Sequence, residues 1–156
     1  MKKIASLFLL VLVLFSCTTD VTDNDPALEG LKNDVRWRGL AIHAELLPNL
    51  HLRIIGETQY EKLTLTTTNK TPATYTIGVN NNVTATFENS LDGVTFTTGA
   101  GVGDGIIEIT EYDEFQMTVS GNFRFNAVNA DDNPAGEHIV NFQHGVFYRV
   151  PVVPAL

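Results

Sequence analysis

Residues 115–128 read FQMTVSGNFRFNAV, and apolar and polar side chains alternate along nearly the whole stretch. Alternation over this length is typical of a β-strand with one buried and one solvated face, as found in antiparallel sheets. It predicts one long strand over residues 115–127, or two strands bent near Gly121, with Ser120 on the solvated face. The predicted core-facing residues are Phe115, Met117, Val119, Gly121, Phe123, Phe125 and Ala127.

Shorter alternating segments lie on both sides of this stretch, separated by polar turns rich in Asn, Asp, Gly and Pro. The pattern predicts strands over residues 35–44, 50–56, 61–68, 73–78, 83–88, 94–98, 105–111 and 138–149. The last must bend near Gly145 if Phe142 and Phe147 are both to face the core. Helix is expected only as a short turn within residues 27–33. The predicted fold is all-β: a single antiparallel β-sandwich or partly open barrel of about eight to ten strands, forming one domain over residues 31–156.

The single tryptophan, Trp37, lies between Arg36 and Arg38, whose side chains point the opposite way along a strand. Trp37 is therefore predicted to face the core, where it is not free to stack on a sugar. Three tyrosines are predicted to be exposed but are too scattered to form a platform: Tyr60, Tyr112 and Tyr148.

The chain begins MKKIASLFLLVLVLFSC and contains a single cysteine, Cys17. Two lysines precede an apolar run of about twelve residues, which suits a signal peptide and is too short to span a bilayer. The segment LFSC resembles the lipobox of bacterial lipoproteins, whose cysteine is acylated and becomes the new N-terminus after cleavage. We predict that residues 1–16 are removed and that Cys17 carries the lipid anchor; the alternative is an ordinary secretory signal with a chance cysteine.

Residues 17–30 are predicted to form the lipidated cysteine and a flexible acidic tether with the sequence TTDVTDNDPALEG. Its aspartates resemble those that follow the lipidated cysteine in surface-exported Bacteroidota lipoproteins, which favours the cell surface, while the periplasmic face of the outer membrane stays open. Removing residues 1–16 leaves eight Lys and Arg against eighteen Asp and Glu, a net charge of −10. Such a surface repels nucleic acid, so no nucleic-acid partner is predicted.

The turn NADDNPAGE, residues 129–137, concentrates oxygen-bearing side chains, which calcium prefers as ligands. Its candidate calcium ligands are Asp131, Asp132, Asn133 and Glu137. The EF-hand spacing is absent and Asx-rich turns commonly form without metal, so both interpretations stay open and no cofactor is predicted. The glycine cluster GAGVGDG, residues 99–105, precedes a β-branched segment, whereas a phosphate-binding loop opens a helix. We interpret it as a hairpin loop.

The mature sequence offers little for nucleophilic catalysis, since only Ser90 and Ser120 remain as serines and the only thiol is predicted to carry lipid. A carboxylate pair for hydrolysis stays open, because the separation of two such groups depends on the fold. The densest acidic stretch contains Glu108, Glu111, Asp113 and Glu114, for which a solvated strand end is the simpler interpretation.

Several segments together resemble small Bacteroidota outer-membrane lipoproteins grouped as a domain-of-unknown-function family. They are WRGLAIHA (37–44), ATYTIG (73–78), GIIEITEYD (105–113), MTVSGNFRFNA (117–127) and NFQHGVFYRVPV (141–152). The resemblance implies a single domain at the outer membrane and supplies no catalytic residues.

The sequence thus predicts a β domain held in the outer membrane through a lipid on Cys17. Its expected role is binding of a protein or glycan partner without catalysis. Two other functions stay open: a carboxylate-based hydrolase of surface glycan or peptide, and a structural or immunity-type interaction protein.

Overall fold

A computed structural model describes residues 25–131 and 137–154, and this part of the chain contains 11 strands and no helix. They are β1 (Ala27–Lys32), β2 (Val35–Arg38), β3 (Ala41–Leu46), β4 (Leu52–Glu57), β5 (Glu61–Thr67), β6 (Ala73–Ile77), β7 (Thr84–Asn89), β8 (Val94–Thr97), β9 (Asp104–Asp113), β10 (Thr118–Asn129) and β11 (Ile139–Pro154). The all-β prediction is confirmed, with one strand more than the upper end of the expected range.

The strands form one sheet that closes on itself. Hydrogen-bonded neighbours follow the order β11-β3-β4-β5-β7-β8-β10, and β10 pairs again with β11. Two pairs of strands extend from this ring, β1 and β2 from β11, and β9 and β6 from β10. The pairings are antiparallel except between β11 and β3, where Val152 lies beside Ala44 and Pro154 beside Leu46. The sheet is therefore mixed, although we predicted a purely antiparallel one.

An aromatic cluster centred on Phe142 fills the space inside the ring. The Phe142 ring stacks on Phe125 at a centroid distance of 4.9 Å and meets Trp37 edge-on at 5.8 Å. Phe87 lies 5.5 Å and Phe123 6.2 Å from the same ring. The predicted burial of Trp37 is confirmed, since 4% of it is exposed while both neighbouring arginines face solvent. Aromatic pairs at these separations add to the stability that burial alone provides.

Strand β10 follows the predicted alternation over most of its length, with Phe123, Phe125 and Ala127 buried. The prediction was wrong before residue 118, because residues 114–117 form a turn in which Phe115 is 96% exposed. The prediction was also wrong for Ser120, which is buried and whose Oγ accepts a hydrogen bond of 3.0 Å from the backbone N–H of Arg149.

Strand β11 reverses its inward face twice, which is how Phe142 and Phe147 can both be buried. Strand β11 has one extra residue between Phe142 and Gly145, which pair with Phe125 and Phe123 of β10. It has a second between Phe147 and Val150, which pair with Gly121 and Val119. His144 and Arg149 lie at these bulges in left-handed backbone, with φ of 51° and 47°. The predicted bend near Gly145 is confirmed, and the second bend is one that the sequence prediction missed.

Residues 27–33 do not form the predicted helical turn. Ala27–Lys32 is strand β1, which pairs with both β2 and β11. Leu28 is fully buried in this strand. Regular structure therefore begins four residues before residue 31, where we predicted that the domain starts.

The ring has two opposite ends. The cleft end contains the β1–β2, β4–β5, β7–β8 and β10–β11 connections, and the Phe115 end contains the β3–β4, β5–β6 and β9–β10 connections. Ala27 pairs with Tyr148, beyond the middle of β11 toward the Phe115 end, and Lys32 pairs with Phe142 near the cleft end. The described chain thus starts on the Phe115 side and runs toward the cleft end.

Candidate binding cleft

Two adjoining hollows of about 360 and 450 Å³ open at the cleft end and share Asn89, Gly93 and Val94 in their walls. We call the two together the end cleft. The connections at the cleft end carry polar side chains at the rim of a rigid sheet, which is where binding residues are commonly found. A cleft of this size admits a small ligand or a few residues of a partner.

The floor of the end cleft is apolar and belongs to the core. Phe87, Phe96 and Val140 line it, and each is at most 4% exposed. The Lys32 ammonium lies 4.9 Å from the centre of the Phe87 ring, an arrangement that favours a cation over an aromatic face. Lys32 therefore separates the core from the open cleft.

Glu61 holds Lys32 in this position. Its Oε1 pairs with Lys32 Nζ, and its Oε2 accepts a hydrogen bond of 2.8 Å from Trp37 Nε1. Both side chains of the ion pair are largely buried, with 24% of Lys32 and 20% of Glu61 exposed. Because both oxygens of Glu61 are engaged, this carboxylate is a structural link and not a free base.

Side-chain amides bind the carboxyl and carbonyl groups around the rim. Asn89 Nδ2 donates to Asp92 Oδ2 at 2.8 Å, and Asn33 Nδ2 donates to Glu137 Oε1. Asn129 Nδ2 donates to the Glu137 backbone carbonyl at 2.9 Å. The first and third bonds brace the β7–β8 and β10–β11 connections internally, and the Asn33–Glu137 bond joins the β1–β2 turn to the β10–β11 connection.

The lining of the end cleft carries more negative than positive charge. Its charged residues are Lys32, Glu57, Glu61, Lys62, Glu88, Asp92, Asp131 and Glu137. Glu57 is paired with Lys62 at 3.1 Å, as Glu61 is with Lys32, and the remaining charges are acidic. This field repels anions and accepts neutral polar groups or cations.

Two of the four calcium candidates, Asp131 and Glu137, line the end cleft, whereas Asp132 and Asn133 lie outside the described residues. Within residues 25–131 and 137–154, no three His, Cys, Asp or Glu side chains are grouped closely enough to hold a metal ion. Cys17 also lies outside the described part of the chain, so its lipidation stays a prediction.

The acidic stretch considered for hydrolysis is spread over β9 and its turn, and each carboxylate with a defined contact serves the local structure. Asp113 Oδ1 accepts from the backbone N–H groups of Phe115 and Gln116, both at 2.8 Å. Glu114 pairs with Lys70 at 2.7 Å, and Glu108 accepts a hydrogen bond from Asn122. These contacts favour the interpretation of a solvated strand end.

The glycine cluster forms a tight turn before β9, as interpreted from the sequence. Gly99 and Val102 exchange backbone hydrogen bonds of 2.9 and 3.0 Å. Gly101 and Gly103 have φ of 71° and 66°, a conformation that glycine adopts without strain. The turn leads into a strand, so the helix N-terminus that a phosphate-binding loop requires is not formed here.

A third hollow of about 450 Å³ lies on the outer face of the sheet, above the bulge at His144. Ile106, Val146 and the edge of Phe123 give it an apolar surface, with Arg124 at its side. It is an open groove on the outer face of the sheet, and the connections at the ring's ends do not line it.

Sequence reasoning missed most of the residues that line the end cleft. Lys32 and Glu61 are 29 residues apart, and nothing in the sequence shows that they pair. A signal was present in the turns, because Asn33, Asn89 and Asn129 each follow directly on a strand or end one. Asn at such positions favours turns, and once the strands form a ring these turns collect at one end.

Tyr60 and Tyr148 are exposed as predicted, at 47% and 38%, and lie at different ends of the ring. The prediction was wrong for Tyr112, which packs partly buried against the core, with Lys70 Nζ 4.5 Å from its ring centre. Tyr60 and Tyr148 thus form no joint stacking platform.

Among the described residues there is no helix long and apolar enough to cross a membrane. A family model described as a domain of unknown function, DUF6252, matches residues 24–151. No curated protein and no solved structure matches the chain.

Proposed function

We propose that this chain, which belongs to the DUF6252 family, is a lipid-anchored protein of the bacterial outer membrane that binds a partner in its end cleft. The proposal combines the predicted lipid on Cys17 with the position of the cleft. It assigns no chemical step to the domain.

The observation that carries the proposal is the placement of the cleft relative to the start of the domain. Strand β1 runs from Ala27 to Lys32, and Lys32 lines the cleft. A strand of this length spans roughly 17 Å, so the cleft lies well beyond the point where the tether joins. In a protein anchored through the tether, the cleft lies at the end of β1 farther from the tether, so it is free to face away from the membrane, where a partner in solution or on another cell can reach it.

The chemistry of the rim favours a protein or glycan partner. Amide and carboxylate side chains such as Asn89 and Asp92 provide directional hydrogen bonds, and the exposed ring of Tyr60 lines the adjoining hollow. Hydroxyl groups of a sugar and basic or amide side chains of a protein both suit such a rim. Polyanions do not, because most lining charges are negative.

The anchor is tested by fractionation of cells that express the full-length protein. We expect the wild-type protein in the outer-membrane fraction with palmitate incorporated, and the Cys17→Ala variant without palmitate and released from the membrane. Retention of the Cys17→Ala variant in the membrane would contradict the anchor.

Binding is tested by placing a photo-crosslinking amino acid at Tyr60, on the rim of the cleft, in the intact anchored protein. Thr74 serves as the control position, because it is exposed on β6 and does not line the cleft. We expect a discrete protein or glycan adduct from position 60 only. Equal adducts from both positions, or none from position 60, would count against the cleft as the binding site.

A further inference from the structure

Phe115 is the most exposed large apolar side chain of the described residues, at 96%. It lies in the turn between β9 and β10, at the Phe115 end of the ring. A phenylalanine in full contact with water forgoes the stabilisation that burial normally provides. A single exposed apolar side chain is ordinary, whereas a group of them on an ordered surface marks a region that is covered when the protein functions.

Other exposed apolar side chains lie at the same end of the ring as this turn. Met117 is 38% exposed, and its backbone carbonyl accepts a hydrogen bond of 2.8 Å from the N–H of Val152. Val153 follows at 45% exposure, and Leu50 in the β3–β4 connection is 57% exposed. The pairing of Pro154 with Leu46 brings that connection beside the end of β11. We call Leu50, Phe115, Met117 and Val153 the apolar tip.

The turn that carries Phe115 is firmly held. The Asp113 carboxylate accepts hydrogen bonds from the backbone N–H groups of Phe115 and Gln116, both at 2.8 Å. Glu114 next to it forms an ion pair with Lys70, which compensates its charge. The turn therefore presents an apolar ring on a rigid support, and both acids beside the ring already have partners.

The chain before the described residues limits how far this tip can lie from the membrane. Strand β1 starts on the same side of the ring, at Ala27, and runs away from the tip. Cys17 precedes Asp25 by eight residues, which span at most about 28 Å when fully extended. A lipid on Cys17 would hold this end of the domain within that distance of the bilayer.

We propose that the apolar tip inserts into the membrane that holds the lipid of Cys17, with the Phe115 ring at the boundary between headgroups and acyl chains. This inference rests on the lipid anchor in the proposed function. Insertion of a few apolar side chains to that depth is typical of interfacial contacts. Because the mature chain has a net charge of −10, the surface that it fits is zwitterionic and not anionic.

The insertion sets the orientation of the whole domain. With the tip in the bilayer surface, the strands stand on the membrane and the end cleft faces away from it. A tether alone would leave the domain free to rotate, so the tip adds a fixed direction to the anchor.

The test uses full-length lipidated protein reconstituted in phosphatidylcholine vesicles whose acyl chains carry bromine, a short-range quencher of tryptophan emission. The variant Phe115→Trp is compared with Leu91→Trp, a matched control that is 69% exposed in the β7–β8 connection at the cleft end. The native Trp37 is buried and provides a constant background. We expect the Phe115→Trp variant to lose a larger fraction of its emission than Leu91→Trp, which should match the wild-type protein.

Other results would overturn the inference in distinguishable ways. Equal quenching in the two variants, with the protein bound to the vesicles, would refute tip insertion and leave the anchor intact. A blue shift of Phe115→Trp that depends on protein concentration and not on the presence of vesicles would assign the tip to a second copy of the chain. Protein that fails to stay on the vesicles would refute the anchor and the inference together.

Discussion

Glu61 joins the core to the cleft, because one carboxylate oxygen binds the Trp37 indole and the other binds the Lys32 ammonium. Truncation to alanine would leave two polar groups in a largely buried place without their partner. We expect Glu61→Ala to lower the free energy of unfolding by about 1–3 kcal/mol. Glu61→Gln should cost less, since it keeps an acceptor for Trp37. Urea denaturation followed by Trp37 fluorescence measures both.

Glu57 provides the matched control for this experiment. Like Glu61, it is paired with a lysine: Lys62 of β5 lies 3.1 Å away, but both side chains of this pair are about 40% exposed. We expect Glu57→Gln to change stability by less than about 1 kcal/mol, as is usual for surface pairs. If Glu61→Gln and Glu57→Gln lowered the free energy of unfolding equally, the greater burial of the Glu61 pair would not add to its stabilising effect.

Lys70 and Glu114 make the stability of the β9–β10 turn dependent on pH. The hydrogen bond from Lys70 holds the pKa of Glu114 below its ordinary value of 4.5, and the same bond raises the pKa of Lys70. A lowered carboxyl pKa stabilises the fold above the ordinary value, and this contribution is lost as the pH falls through the folded pKa. Since 76% of Glu114 is exposed, the effect on stability is small.

Substitution of Lys70→Met removes the donor, so we expect the pKa of Glu114 to rise toward its ordinary value. NMR titration of the Glu114 carboxyl carbon measures this directly. The control variant Lys62→Met, which changes a lysine at the cleft end, should leave the Glu114 titration as in the wild-type protein. An unchanged titration of Glu114 in the Lys70→Met variant would mean that the ion pair does not form in solution.

At the scale of single residues, the sequence predicted burial well inside the strands and poorly at their ends. Phe123 and Phe125 alternate with polar neighbours and are buried as predicted. Phe115 is odd-numbered like Phe123 and Phe125, so the alternation placed it on the same buried face. However, the Asp113 carboxylate accepts hydrogen bonds from the backbone N–H groups of residues 115 and 116, and the chain turns there before the strand begins. Side chains alternate between two faces only within a strand, and the sequence alone does not show where the turn ends and the strand begins.

At the scale of elements, β11 depends on two residues in left-handed backbone, His144 and Arg149. The bulge at His144 shifts the register of β11 with both β10 and β1, so the pairing of both neighbouring strands depends on this bulge. Without the two shifts, the inward faces at residues 140–142, 145–147 and 150–152 would not lie on one side of the sheet. The bulges therefore allow one strand of 16 residues to follow the curved core.

This dependence predicts how substitutions at His144 differ. A β-branched residue fits left-handed backbone poorly, whereas asparagine tolerates it. We expect His144→Val to be less stable than His144→Asn by about 1–2 kcal/mol in urea denaturation. The neighbouring Gln143→Val, which lies in ordinary strand backbone, should show no such penalty. Equal stability of the two His144 variants would contradict strain at the bulge.

The sequence also predicted the elements unequally. Alternation identified β4, β5 and β10, whose inward faces are buried as expected. It failed for β1, because Leu28 and Leu31 are spaced as on a helix, and pairing with β2 and β11 overrides that local pattern. The residues that form β1 and β11 pairs are more than 100 positions apart, so the pairing that decides β1 is invisible locally.

At the scale of the whole molecule, the ring places a polar cleft at one end and an apolar tip at the other. Closure depends on pairs that are distant in sequence, which is why the sequence could suggest a sandwich or barrel but not choose the strand order. The polar turns were visible as turns, yet only the strand order decides that those near Asn33, Tyr60 and Asn89 meet. The candidate cleft could therefore not be predicted, although several of its side chains were noticed.

Closure of the ring rests on the short parallel pairing between β11 and β3, which joins residues 152–154 to residues 44–46. A chain that ends at Val150 loses this pairing and the burial of Val152, which is 5% exposed. Burial of one valine contributes about 1.5–3 kcal/mol, and exposure of fully buried Ala44 and of the β3 edge adds to the loss. We expect the truncated protein to unfold at a clearly lower urea concentration than a chain that ends at Pro154, which keeps the pairing. Equal midpoints for the two chains would show that the remaining antiparallel pairs hold the fold without closure of the ring. A lower midpoint for the chain that ends at Val150, together with proteolysis near Leu46, would show that the end of β11 closes the ring.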